Sequence, residues 1–112
     1  MAKTLQALID ERFGTPTGPT GRAPTVTVAT TRTVVLPADP NRLAATIINL
    51  GANPVFLMPA GEPSTTQGIR LNANGGGVAL LWDEEFFLLG REWAAVTDAG
   101  TSVVLRLEVI SQ

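Results

Sequence analysis

The sequence predicts an all-β fold: an antiparallel β-sandwich, jelly-roll-like, with a short N-terminal amphipathic helix on a Pro/Gly linker. Three observations predict it. Short β-branched and apolar runs recur at roughly ten-residue spacing from Thr25 to Ile110. Clusters of Gly, Pro, Asn and Asp separate them. No helical periodicity interrupts them, which disfavours a parallel sheet with crossover helices. The chain has 112 residues, enough for one domain. It divides into a helix and extended arm over 1–24 and a β-sandwich over 25–112.

The helix spans Ala2 to about Phe13. Leu5, Leu8, Ile9 and Phe13 share one face, while Lys3, Gln6, Asp10 and Glu11 fill the other. Thr4 is placed to cap its start and Gly14 to end it. A helix of about ten residues is marginal alone in water, so it needs a surface. That surface is either its own domain or a partner. Gly14 to Pro24 then holds three Gly and three Pro in eleven residues, which reads as an extended linker rather than a helix or a ladder strand.

The strands follow in order. TVTVATT and TRTVVLP alternate and are β-branched. LAATIINL centres on Ile47 and Ile48, and PVFLMPA lies between Pro54 and Pro59. GIRLNA, VALLWD, EEFFLL and REWAAVTD come next. In the last run, Val103, Leu105, Leu107 and Val109 alternate with Val104, Arg106, Glu108 and Ile110, the clearest strand in the chain. Asp39-Pro40-Asn41, Gly51-Ala52-Asn53-Pro54, Gly75-Gly76-Gly77 and Asp98-Ala99-Gly100 supply the turns.

Composition excludes much chemistry. There is no Cys, so no thiol nucleophile, disulfide or zinc–thiolate site, and no His, the commonest general base. A net charge of −2, with the cations spread singly, makes no electrostatic case for nucleic acid. No apolar run approaches the length of a membrane span, and no secretory leader is visible. Asp83, Glu84 and Glu85 read as a solvated turn. Glu92 and Glu108 could meet across paired strands, but Arg91 or Arg106 as partners explains them as well. Ser64, Ser102 and Ser111 lack a base, and the glycine run does not open a phosphate loop. The expectation is therefore a protein that is not an enzyme, with no catalytic residue, cofactor or metal.

Binding has positive signals instead. Charged residues are only 16%, which leaves apolar surface for neighbours. Phe86, Phe87, Leu88 and Leu89 are consecutive, so in a strand both faces would be apolar and one would want a partner. The expected partner-binding residues are Leu5, Leu8, Ile9 and Phe13 on the arm, and Phe86, Phe87, Leu88 and Leu89 on the domain.

Three stretches carry a family likeness. They are Ile47-Ile48-Asn49-Leu50-Gly51-Ala52-Asn53-Pro54-Val55-Phe56-Leu57; Gln67-Gly68-Ile69-Arg70-Leu71 with its glycine loop; and Glu92-Trp93-Ala94-Ala95-Val96 followed by Val103 to Val109. Together they resemble small β-sandwich proteins of tailed-bacteriophage virions, over roughly Arg32 to Ile110. The sequence departs from that pattern at Met58-Pro59-Ala60-Gly61. The resemblance implies a virion structural role: a capsid decoration or accessory protein, or a head-fibre base, held on the major capsid protein or another virion protein by its terminal arm. It also implies a homo-oligomer, a trimer for preference, and a location in the virion after assembly in the host cytoplasm. A tail or neck component and a carbohydrate- or receptor-binding module are the alternatives. The latter expects Trp82 or Trp93 in an exposed groove near the glycine loop.

Overall fold

The computed structural model describes residues 3–111. Among these residues nine strands form two antiparallel sheets, with a short N-terminal helix, consistent with a β-sandwich. The first sheet contains β1 (Thr17–Pro19), β2 (Thr25–Val28), β4 (Arg42–Asn49), β7 (Gly77–Leu81) and β9 (Ser102–Ser111). Its order is β1-β9-β4-β7, with β2 also paired to β9 on the side that β1 occupies further along. The second sheet, in the order β3-β8-β5-β6, contains β3 (Thr33–Leu36), β5 (Val55–Pro59), β6 (Ile69–Leu71) and β8 (Trp93–Thr97). Val28, Ile47, Leu80 and Val104 from the first sheet meet Val35, Val55, Leu57, Leu71 and Trp93 from the second, and all are buried.

Two linkages set the sandwich. Asn49 is fully buried and satisfies every polar atom. Its Nδ2 donates to the Asn53 carbonyl (2.8 Å) and to that of Leu71 in the opposite sheet (3.1 Å). Its Oδ1 accepts from Gly51 N (3.1 Å) and Ser102 Oγ (2.6 Å). The turn after Asn49 passes so close to β9 that a Cβ at Gly51 would stand 2.0 Å from Ser102 Oγ. The second linkage is Glu108, considered with the site below.

Helix α1 (Leu5–Phe13) forms as its signals predict. Thr4 Oγ1 accepts from Ala7 N (3.1 Å), and Gly14 ends the helix in the left-handed conformation (φ 71°). Ala2 lies outside the described residues. No residue of α1 is buried. The radius of gyration is 15.0 Å, above the ~13 Å expected for a compact chain of this length, as a helix outside the core requires.

Two expectations are corrected. Part of the Pro/Gly linker is a ladder strand: Thr17, Gly18 and Pro19 pair with Ser111, Ile110 and Val109. An edge position makes this possible, because a proline there removes no bond from a central ladder. The arm over 1–24 is thus free of the sheet only in its helix. Residues 82–90 are also not strand. They form α2 (Trp82–Glu85) and a 3-10 turn (Phe86–Gly90), joined at Phe86 with φ 54° and ψ −130°. The acidic run suits a helix start, and side chains hold the far end. Trp93 Nε1 donates to the Leu88 carbonyl (3.0 Å) and Arg42 Nη1 to that of Leu89 (2.8 Å).

Candidate functional site

The arm's apolar face is divided between the domain and the outside. Ile9 and Phe13 are half-buried, and the Phe13 ring meets Trp82 edge-on at 5.9 Å. Leu5 and Leu8 remain 74% and 52% exposed. The polar face anchors the helix. Gln6 Nε2 donates to the carbonyl and hydroxyl of Thr17 (both 2.9 Å) and to Asp10 (2.7 Å). Asp10 Oδ1 also accepts from Thr17 N and Thr17 Oγ1 (both 3.0 Å). The bond from Gln6, with those from Thr17, holds the Asp10 carboxyl below its usual value against a smaller desolvation effect. Lys3, just before the helix, pairs with Glu11 on it.

Behind the helix, the chain is clamped by a buried acid. Glu108, 1% exposed at its side chain, accepts from Arg42 Nε (2.9 Å), Arg22 Nη1 (3.1 Å) and Thr20 Oγ1 (3.1 Å). Arg22 continues to Asp39 (2.9 Å). Burial pulls the Arg42 guanidinium below its usual value, although Glu108 opposes the shift. The hydrogen bond that Arg22 donates to Asp39 leads in raising the Arg22 guanidinium above its usual value. Removing one member of such a buried triad leaves an uncompensated buried charge, so its loss is strongly destabilising. Here the triad fastens residues 20–22 to β9.

The predicted domain site is partly brought together. Phe86 and Phe87 are each 71% exposed, and Leu88 lies beside them at the surface. Arg91 stacks on the Phe87 ring at 5.6 Å. Phe86, Phe87 and Arg91, with Pro40, Arg42 and Gly90, line an open concavity of about 310 Å³. Leu89 is corrected: it is 1% exposed and belongs to the protein's own core, because a 3-10 turn does not alternate faces as a strand does. Trp82, 43% exposed, links this end to the arm through Phe13. Sequence reasoning did not place it there. Its only sequence signal is a lone aromatic at the close of an apolar strand.

Other candidates fall apart in space. Glu92 pairs with Arg32, and Glu108 with Arg22 and Arg42, so the two acids do not meet. Trp93 is buried, and Trp82 stands at the opposite end of β7 from the Gly75–Gly77 loop, so neither faces that loop. Glu85 accepts from Leu81 N, while Asp83 and Glu84 point to solvent. Among the described residues, no three His, Cys, Asp or Glu side chains gather as a metal site would need. No helix is long and apolar enough to cross a membrane.

The fold and this site together define an all-β sandwich that carries a short helix, hydrogen-bonded to β1, beside an exposed aromatic end. The chain matches no family model and no curated protein.

Proposed function

We propose that this chain is a non-catalytic virion structural protein of a tailed bacteriophage, a capsid decoration or accessory protein or head-fibre base. It attaches to the major capsid protein or another virion protein through α1. One observation carries the reading: α1 is capped at both ends and polar-anchored to Thr17, yet buries none of its residues and turns Leu5 and Leu8 outward. A partner groove that takes these two leucines completes the burial that the domain leaves undone. The strand order supports a jelly roll, since β2-β9-β4-β7 faces β3-β8-β5-β6 as eight strands in two sheets. That architecture is shared by capsid and lectin domains, so it supports the reading by analogy of fold alone. The likeness at Ile47–Leu57 and Gln67–Leu71 adds to it.

Co-sedimentation with particles assembled without the protein tests the proposal. The intact chain is expected to pellet with them, and Leu5→Asp/Leu8→Asp to stay in solution with an unchanged fold. Equal pelleting of the double variant would remove α1 from the role. Failure of the intact chain to pellet with either heads or tails would remove the virion reading.

A further inference from the structure

We infer that Asn74 is a site of spontaneous modification, where the side-chain amide closes onto the Gly75 nitrogen and reopens as aspartyl or isoaspartyl, and that the turn over residues 72–77 keeps it latent in the folded chain. The asparagines are Asn41, Asn49, Asn53, Asn72 and Asn74. Ring closure needs a following backbone nitrogen that carries a proton and is not crowded by a side chain. Arg42, Leu50 and Ala73 present a side chain there, and Pro54 has no N–H. Only Asn74 is followed by a glycine, Gly75. Both residues are exposed, and a Cβ at Gly75 would meet nothing within 4 Å, so the space for a ring is open. Asn74 also holds a left-handed backbone (φ 61°), which few residues besides Gly, Asn and Asp adopt.

The fold withholds the nucleophile. Gly75 N donates to the Asn49 carbonyl at 2.7 Å, and Asn74 N to that of Gly51 at 2.9 Å. Gly76 N donates to the Asn72 carbonyl (3.1 Å), and its own carbonyl accepts from Asn49 N (2.8 Å). Attack requires the Gly75 nitrogen to lose its proton and move onto Asn74 Cγ, and the bond to Asn49 opposes both. Asn49 does not yield, because it is fully buried and its side chain reaches Leu71 in the opposite sheet. The turn must therefore open before the ring can close, and the rate follows the opened fraction.

The reaction needs only water. A bond forms from the Gly75 nitrogen to Asn74 Cγ, the Cγ–Nδ2 bond breaks, and Nδ2 leaves as ammonia with the proton that Gly75 gives up. Nothing is oxidised or reduced. Water then opens the cyclic imide at either of its carbonyls. Opening at the main-chain carbonyl leaves the chain running through the former side chain, with one extra methylene. Opening at Cγ restores the ordinary backbone as aspartate, a residue that tolerates the left-handed conformation. Either product adds one negative charge to a chain at −2. The isoaspartyl product also displaces Gly75 relative to Asn72, so the paired bonds of Gly75 and Gly76 to Asn49 no longer fit together. That frees the turn leading into β7, whose first residue, Gly77, pairs with Ile48.

The site owes nothing to α1 or to a virion partner, so it stands or falls separately from the proposed function. The test ages the full chain in mildly alkaline buffer, folded and in denaturing urea, and follows it by peptide mass mapping, ammonia release and isoaspartyl content. The mass gain of an amide becoming an acid is expected at Asn74 before any other asparagine. It should appear at least about tenfold faster in urea than in the folded chain, because the turn is closed most of the time. Asn74→Asp, which keeps a residue suited to the left-handed turn, should abolish the early mass gain and ammonia release. In folded chains that have formed isoaspartate, the Gly75 amide should exchange faster than in unaged protein. Equal rates in the two conditions, no early gain at Asn74 in urea, or an undiminished gain in Asn74→Asp would overturn the inference.

Discussion

The outer sides of the two sheets are finished differently. On the second sheet the outward residues Phe56 and Val96 are each only 7% exposed. Over Phe56 the chain supplies its own cover: Arg70 lies over the ring at 5.8 Å and is held there by Asn72 (3.0 Å). The loop after β5 turns back toward Met58, where a Cβ at Gly61 would stand 3.4 Å from the Met58 Cγ. On the first sheet the equivalent side is bare from Val103 to Val109. One chain thus closes one sheet with its own loops and leaves the other open. The open sheet is also the one that holds the arm and the buried triad.

The comparison breaks most severely at Glu108. Glu108→Ala leaves Arg42 fully buried without its carboxylate and releases Arg22, so we expect a loss of about 3–5 kcal/mol in urea unfolding. Amide protection over residues 17–22 should fall with it. A loss below about 1 kcal/mol would show that the triad does not hold the register of β9.

A smaller effect is expected on the covered sheet. Arg70→Ala uncovers Phe56 and should cost about 0.5–1 kcal/mol. It should also raise binding of an apolar dye, giving the second sheet an open patch of its own. Unchanged dye binding would mean that the loop alone covers this side.

The smallest effect is acid release of the arm. Bonds from Gln6 and Thr17 hold Asp10 below its unfolded value. At Asp39 burial pushes upward, but hydrogen bonds from Arg22 and Asn41 outweigh it and the net shift is also downward. A depressed folded value means the contact stabilises above the unfolded value of about 3.9 and is lost as pH falls below it. Amide protection factors over residues 5–24 should therefore fall near pH 3 while β4 and β5 stay protected. Equal protection of the arm at pH 3 and pH 7 would contradict this.

The parts legible in the sequence were those fixed by local chemistry. Thr4 and Gly14 bound the helix because capping and left-handed backbone need those residue types. The alternating and β-branched runs located most of the strands for the same reason. The apolar run Phe86–Leu89 misled, because four consecutive apolar residues fit a two-faced strand and a 3-10 turn equally well. Only side chains distant in sequence, Arg42 and Trp93, decide between them. The pairing of β1 was hidden because an edge strand tolerates the Gly and Pro that ordinarily signal a linker. The exposed column of β9 was present as an alternation. Which side faced inward depended on Glu108 finding Arg22 and Arg42, contacts that periodicity does not encode.

Glu108 also bears on how quickly the molecule can form. It joins Arg22 across 86 residues of chain, and β9 supplies the partner edge for β1, β2 and β4 alike. Such distant pairings must overcome the entropy of closing long loops before they return any energy, which places the chain among the millisecond-to-second folders. Until β9 docks, β4 has β7 along one edge and no partner along the other. Completion of the first sheet therefore waits on the strand nearest the far end of the chain, and its bare side is whole only once β9 is in place.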